Sequence, residues 1–369
     1  MLRLRGIIAG FLLLNLASCR GAGVDLRQSS TLLAYLTQFN SNTVVVVDTV
    51  TKTPVGEPIK VGTGPVRMVA SPPNVQSAEL KDRLYVLDQT GGTVSFVNRR
   101  SRNNEADVTA GQQPSDLAIT ANGQYLFVTS PSEQTVTRIR IGTRNADAIY
   151  SYRNAQRVGN GFRPSGIAIH PTKKEIYVVS DSLVMQPGAN SSASIGMVSV
   201  LTYSEKELSE VNAYALIGAV QPFRAVVDRQ GSNLVVTDLG KTNGLHVVDL
   251  ASGTPKSLQA GVGAGTYGAV ISPEGVIYAT VPNKNVYIQI LPGPSPLATP
   301  WDSGGSQPKP LAISNDGGEL WIGNVGSSKV VFARLRGLEK PFDIQAVQYS
   351  LQPSLAQPPG DILLAGGVR

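Results

Sequence analysis

Residues suited to redox or metal chemistry are scarce in this chain of 369 residues, which has one Cys and two His. A single Cys excludes an internal disulfide framework, a Cys-rich zinc site and an iron–sulfur cluster. Two His leave little for a histidine-based metal centre, and the sequence has no CxxCH haem-attachment segment, EF-hand loop or dinucleotide fingerprint. The sequence therefore predicts no metal and no cofactor.

Two short segments look superficially like catalytic motifs. Residues 302–305, Asp-Ser-Gly-Gly, are similar to the nucleophile segment of chymotrypsin-like proteases, but neither His170 nor His246 has a context that suggests the base. Residues 240–242, Gly-Lys-Thr, lack the earlier Gly of a phosphate loop and fall in a hairpin. We interpret both segments as turns, His170 as a turn residue and His246 as a hydrogen-bonded sheet residue, so no catalytic residue is predicted.

Four basic residues lie within two residues of a recurring Pro, or of its equivalent, at the start of an apolar triplet. They are Arg67, Arg163, Arg224 and Lys309. A repeat places such positions on one face, so these residues predict an anion-binding ring. Asp116 and Asp361 share the ring, and the alternative is that they simply pair with the basic residues. We further expect Arg67 and Arg224 to be exposed, so that replacing both with Ala leaves folding nearly intact.

The N-terminus has the order of a signal peptide. Arg3 and Arg5 precede an apolar run at residues 6–14, which is shorter than the roughly 20 residues that a spanning helix needs. The next segment, Leu-Ala-Ser-Cys at residues 16–19, resembles the lipobox of bacterial lipoproteins. That resemblance implies cleavage before Cys19 and lipidation of its sulfur, and two acyl chains give a stable membrane anchor. An ordinary secretory signal with an incidental Cys is the alternative.

These features divide the chain into a lipoprotein signal peptide at residues 1–18, a lipidated tether at residues 19–30 and a folded domain at residues 31–369. Cleavage removes Arg3 and Arg5, which lowers the net charge from +6 to +4 and leaves a weak indication of anionic partners. Arg20, directly after the Cys, favours an outer-membrane or cell-surface location within the cell envelope.

A unit of two strands recurs along the domain. Its first strand contains an aromatic or β-branched residue followed by small or apolar ones, at Tyr35, Tyr85, Phe127, Tyr177, Val235, Tyr278 and Trp321. Its second strand starts at Thr43, Thr93, Thr135, Met197, Gly244, Asn285 and Lys329. The lag is 8, 8, 8, 20, 9, 7 and 8 residues, which is hairpin spacing except for an insertion of 12 residues in the fourth copy.

A third apolar run precedes each hairpin but the first. These runs start at Pro65, Pro114, Pro164, Pro222, Thr266 and Pro308, and a seventh starts at Pro359 with no hairpin after it. The period of 42 to 58 residues is typical of a propeller blade with four strands. Pairing the C-terminal run with the N-terminal hairpin closes a ring and leaves no open edge. The sequence therefore predicts an all-β, seven-bladed β-propeller closed by both ends of the chain.

The repeats resemble the YVTN β-propellers of surface-layer and periplasmic proteins, although no copy has all four letters. The resemblance implies the fold, and it leaves open a surface scaffold, a lactonase or a quinoprotein or haem-d1 partner. The preferred interpretation is a lipid-anchored, non-enzymatic scaffold of the cell envelope that binds a protein, a glycan or a small anionic ligand. The alternative is an enzyme of lactonase or quinoprotein-like type with its site at the axial mouth. Nucleic acid is not a predicted partner, because the loops lack a stacked aromatic series.

Overall fold

The computed structural model describes residues 32–155, 158, 161–185, 194–240, 244–258, 265–293, 296, 298–335 and 359–366. Its strands in chain order are β1 Leu32–Gln38, β2 Thr43–Asp48, β3 Ile59–Lys60, β4 Pro65–Ala70, β5 Arg83–Asp88, β6 Thr93–Asn98, β7 Asn103–Thr109, β8 Asp116–Ile119, β9 Tyr125–Ser130, β10 Thr135–Arg140, β11 Asn145–Ser151, β12 Pro164–Ile169, β13 Glu175–Ser180, β14 Val184–Met185, β15 Ser194–Tyr203, β16 Leu208–Leu216, β17 Pro222–Val227, β18 Asn233–Asp238, β19 Leu245–Asp249, β20 Thr254–Leu258, β21 Ala269–Ile271, β22 Ile277–Val281, β23 Val286–Ile290, β24 Ala298–Asp302, β25 Pro308–Ile313, β26 Glu319–Asn324, β27 Lys329–Arg334 and β28 Ile362–Gly366. Three 3₁₀ turns occupy Tyr152–Asn154, Pro282–Lys284 and Val325–Ser327.

The strands form seven antiparallel sheets, and the protein is a seven-bladed β-propeller. From the axis outward, blade 1 is β28-β1-β2-β3, blade 2 is β4-β5-β6-β7 and blade 3 is β8-β9-β10-β11. Blade 4 is β12-β13-β15-β16, with β14 added beside β15. Blades 5 and 6 are β17-β18-β19-β20 and β21-β22-β23-β24, and blade 7 contains β25-β26-β27 in the described part of the chain.

The ring closes as the sequence predicts. The C-terminal strand β28 is the inner strand of blade 1 and pairs with β1 from Leu32↔Gly366 to Leu36↔Ile362. A core between blades 1 and 7 seals the junction, where Trp321 and Phe332 pack against apolar residues of both chain ends. Burial between neighbouring blades also explains why middle strands such as β2 are apolar on both faces, whereas the outer strand β7 alternates.

Alternating strand directions give the ring two different faces. The apical face carries the entrances to the inner strands, such as Pro65 and Pro308, and the hairpins between second and third strands. The basal face carries the other turns, including residues 120–124 and 314–318. Four inner strands begin with a register shift directly after the repeat's Pro, in blades 2, 4, 5 and 7. A bulge of this kind redirects a side chain and here lies next to the axis.

A Thr two residues after the aromatic or β-branched residue of a blade's second strand joins neighbouring blades near the axis. Its hydroxyl donates to a backbone carbonyl of the next inner strand, as in Thr129 to Ser165 at 3.1 Å, Thr237 to Tyr267 at 3.1 Å and Thr280 to Lys309 at 2.8 Å. The polar residue that follows this Thr fixes the loop that leads into the inner strand of its own blade. In blade 5, Asp238 accepts from the amides of Val220 and Gln221, each at 2.8 Å. The repeat motif therefore encodes hydrogen bonds that position the mouth.

Candidate functional site at the axial mouth

The third residue of each inner-strand run lies at the apical mouth of the axis. In four blades this residue is charged, and the four form what we call the axial crown: Asp361, Arg67, Asp116 and Arg224. Arg67 bridges two acids, with Nε donating to Asp116 Oδ1 at 2.8 Å and Nη1 donating to Asp361 Oδ1 at 3.0 Å. The crown therefore joins blades 1, 2 and 3 by ion pairs.

Arg224 reaches Asp116 from blade 5. Its Nη1 lies 3.2 Å from Asp116 Oδ2 and donates to the carbonyl of Ser115 at 2.7 Å. Blade 4 places Gly166 at this level, where a Cβ would stand 2.8 Å from the Arg224 Cα. The absence of a side chain at Gly166 allows the backbone of blade 5 at Phe223 and Arg224 to approach blade 4 closely.

Charge pairing sets the ionisation of the crown. Burial would raise the pKa of Asp116, but the charges of Arg67 and Arg224 outweigh it and hold the pKa below its usual value. Burial dominates for Asp361 and raises its pKa, although Arg67 and the Met68 amide act in the opposite direction. The pairing alternative is thus what the structure shows for Arg67 and Arg224.

The expectation that both basic residues are exposed is wrong for Arg224, and Arg67 is only partly exposed. Their buried ion pairs predict that both residues contribute to stability. The Arg224 side chain is 10% exposed, and Arg67 is held between two acids that are almost completely buried. Within the described residues, removing Arg67 would leave Asp361 without an ion-pair partner, and removing Arg224 would leave Asp116 with Arg67 alone. Either loss weakens the compensation of a buried carboxylate, which costs more than the loss of a surface ion pair. The sequence pattern does not reveal that the Arg224 side chain extends far enough to contact Asp116 of another blade.

Lys309 joins the mouth, whereas Arg163 does not. A shallow cavity of about 30 Å³ is lined by Arg67, Arg224, Tyr267, Lys309 and Asp361 among others. Lys309 Nζ lies 5.4 Å from the centre of the Tyr267 ring and makes no ion pair within the described residues. Arg163 is 52% exposed and lies beside the blade 4 insertion, with Nε 3.6 Å from Asp181 Oδ1.

Two aromatic residues at the mouth were missed by the sequence analysis. Phe223 and Tyr267 stack with ring centres 5.0 Å apart, and the Arg224 guanidinium lies 4.5 Å from the centre of the Phe223 ring. Both residues occupy the repeat position of Lys309, directly after the Pro or Thr that opens the inner run. That shared position is the signal that could have identified them.

The two His and the protease-like Ser have structural roles, as predicted. His170 Nδ1 accepts from the amides of Thr172 and Lys173, which closes a basal turn. His246 is buried in β19 with Nε2 3.1 Å from Asp238 Oδ2. The hydroxyl of Ser303 donates to the carbonyl of Asn285 at 2.8 Å and holds a turn.

Larger cavities lie on the basal face. A groove of about 510 Å³ separates blades 5 and 6 and is lined by the Ser-Pro-Glu-Gly turn at residues 272–275, among other segments. No sequence pattern indicates this groove, because its two walls come from residues distant in sequence. The described ranges contain no cluster of His, Cys, Asp and Glu that could hold a metal ion. Nor does any helix within them have the length and apolarity to cross a bilayer.

Comparisons with known proteins show the fold alone. No family model matches the chain, and no curated protein matches it. The chain is similar to a putative 6-phosphogluconolactonase from Bacteroides uniformis, with 14% identity, coverage of 91% of this chain and 100% of that one, and a TM-score of 0.66. It is also similar to Kuenenia stuttgartiensis hydrazine synthase, with 20% identity, coverage of 74% and 78%, and a TM-score of 0.59.

A third similar structure is virginiamycin B lyase from Staphylococcus aureus, with 15% identity, coverage of 91% of this chain and 96% of that one, and a TM-score of 0.62. Proteins named for different activities thus share this architecture, so the fold does not select one of them. The YVTN resemblance remains a prediction. The signal peptide, Cys19 and the tether lie outside the described residues and remain predictions as well.

Proposed function

We propose that this protein is a lipid-anchored, non-enzymatic β-propeller of the cell envelope that binds an anionic ligand or partner at its apical mouth. The observation that supports this proposal is the order of charges along the axis. The acids of the crown are buried, with side-chain exposures of 1% for Asp116 and 4% for Asp361, whereas Arg67 is 31% exposed. The guanidinium and ammonium groups at the mouth are therefore more exposed to solvent than the carboxylates.

The rim of the mouth suits an anionic group attached to a ring. Lys309 supplies an ammonium group. Within the described residues this group lies over the Tyr267 ring and makes no ion pair, so it can turn toward an incoming carboxylate or phosphate. Phe223 and Tyr267, which lie beside it, are partly exposed. An acidic sugar, a sugar phosphate or an acidic side chain with a neighbouring ring would satisfy both features.

The test compares glucose 6-phosphate with glucose by calorimetry on the full chain. We expect only the phosphate to bind, and Lys309→Gln to weaken its binding roughly tenfold, since a charge-assisted hydrogen bond contributes about 1.5 kcal/mol or more. Lys174→Gln on the basal face removes the same charge and is the matched control. Equal binding of both sugars, or equal losses in both variants, would contradict the proposal.

The second candidate is an enzyme of the lactonase type, and the similarity over 91% of the chain to a putative 6-phosphogluconolactonase favours testing it. Such a substrate carries the phosphate that the mouth is proposed to bind. Incubation with 6-phosphogluconolactone separates the two functions: a binding protein leaves spontaneous hydrolysis unchanged. Hydrolysis that the protein accelerates and that Lys309→Gln abolishes would favour the enzyme instead.

A further inference from the structure

Both ends of the described chain lie on the basal face, beside the same turn of blade 2. The inner strand β28 starts below Asp361 at the mouth and ends at Gly366, which pairs with Leu32, the first described residue. Arg99, in the basal turn of blade 2, donates from Nη2 to the carbonyl of Gly366 and from Nε to Tyr35 at 3.0 Å. Leu32, the first described residue, therefore lies in the same part of the basal face as Arg99.

A basic cleft occupies this part of the basal face. It has a volume of about 210 Å³ and lies between the two basal turns of blade 2, lined by Ala78, Lys81, Asp82, Arg83, Asn98 and Arg100. Arg83 is fixed by Glu105 at 2.5 Å, and Arg100 is 64% exposed with Asp82 at 3.7 Å. Lys81 is exposed and makes no ion pair in the described part of the chain. Three cations and one carboxylate thus line a cavity open to solvent.

We propose that this cleft binds the phosphate group of an anionic membrane lipid, with the basal face against the bilayer. The location rests on the proposed lipid anchor, because the twelve residues from Arg20 to Thr31 connect Cys19 to Leu32. So few residues cannot separate the anchor from Leu32 by more than about 45 Å even at full extension, which limits how far the cleft can lie from the surface that holds the anchor. An anionic leaflet attracts Lys and Arg at close range, and the exposed Lys81 and Arg100 are placed to reach it.

This arrangement orients the molecule. With the basal face on the lipid, the apical mouth points away from the membrane. The mouth is then open to soluble ligands and to partners on neighbouring surfaces. The basal cleft would thus bind lipid, and the apical mouth would bind the ligand.

The test uses a protein that begins at Arg20, which retains all the described strands because these start at Leu32. We expect it to bind vesicles of phosphatidylcholine mixed with phosphatidylglycerol and not vesicles of phosphatidylcholine alone. Lys81→Gln combined with Arg100→Gln should weaken this binding on the order of 30-fold, from two lost surface charges. Lys173→Gln combined with Lys174→Gln removes the same charge from another basal turn and should keep most of the affinity. Equal losses of vesicle affinity in the two double variants would contradict lipid binding at the cleft.

Inorganic phosphate distinguishes a lipid site from a site for free phosphate. We expect phosphate to compete with the mixed vesicles and to lose its effect in the Lys81 and Arg100 double variant. Phosphate binding without vesicle binding would overturn the membrane assignment, and absence of both would overturn the site. The anchor and the mouth are tested separately, because this protein lacks Cys19 and the Lys309→Gln variant leaves the cleft intact.

Discussion

Asp88 should make the protein less stable as the pH rises toward neutrality. Asp88 ends β5 and is completely buried, with Oδ2 2.7 Å from Ser95 Oγ. The same hydroxyl lies 2.7 Å from Asp107 Oδ1 and accepts from the Gly62 amide at 2.9 Å. One hydroxyl hydrogen cannot serve two carboxylates, so the second short contact needs a proton on an acid. Asp107 is exposed, which leaves Asp88 as the acid that keeps its proton.

The size of the effect follows from the pKa. Burial, with a smaller contribution from Asp107, raises the pKa of Asp88 from 3.8 to about 7 despite the Ser95 bond. A carboxyl whose pKa is higher in the folded state gives stability that is complete below pH 4 and is lost as the pH rises to 7. About three pH units at 1.36 kcal/mol each give about 4 kcal/mol.

Asp88→Asn removes the charge and retains a donor toward Ser95. We expect urea unfolding at pH 8.5 to show the variant more stable than the parent by up to about 4 kcal/mol, and at pH 4.5 by less than about 1 kcal/mol. Asp238 is the matched control at the same repeat position: despite burial, His246 and backbone amides lower its pKa, so Asp238→Asn should destabilise. If Asp88→Asn follows the same pH profile as the parent, the protonated-acid argument is wrong.

Three further predictions concern the anchor, the crown and ring closure. Cys19→Ser should move the protein from the membrane fraction to the soluble fraction, and retention on membranes in high salt would exclude Cys19 as the anchor. Arg67→Ala should cost about 3 kcal/mol in thermal or urea unfolding, because Asp116 loses its main counter-charge, whereas Arg163→Ala should cost less than about 1 kcal/mol. Deleting residues 359–369 should cause aggregation or a large loss of melting temperature by exposing β1, whereas deleting residues 367–369 leaves β28 intact and should be tolerated.

The fold was predictable because each blade repeats a local pattern. Hairpins such as β1 with β2 begin where the apolar runs begin, and burial on both faces makes those runs continuous. The ends of inner strands were less accurate: β8 begins at Asp116 rather than Pro114, and β21 begins at Ala269 rather than Thr266. In blades 2, 4, 5 and 7 the pairing shifts by one residue after the repeat's Pro, and no apolar pattern reports such a shift.

The candidate site was predictable in position but not in its contacts. Repetition placed Arg67, Arg224 and Lys309 at one mouth, and the structure brings these three together. It could not show that Arg224 reaches Asp116 in blade 3, because that contact depends on how closely the blade 5 backbone packs against Gly166 of blade 4. Arg163 carries its charge one position before the repeat's Pro, so it points to the apical surface and not to the axis.

Closure of the ring and formation of the mouth depend on the same residue. The Asp361 amide donates to Thr37 Oγ1 at 2.7 Å, which joins the C-terminal strand to the N-terminal hairpin. Its carboxylate accepts from the Met68 amide at 2.9 Å and from Arg67, which joins blade 1 to blade 2. Arg67 therefore has its full set of partners only after the ring has closed. The geometry of the cationic mouth is thus a consequence of complete folding, and a chain with an open ring would present a differently placed Arg67 to any anionic ligand.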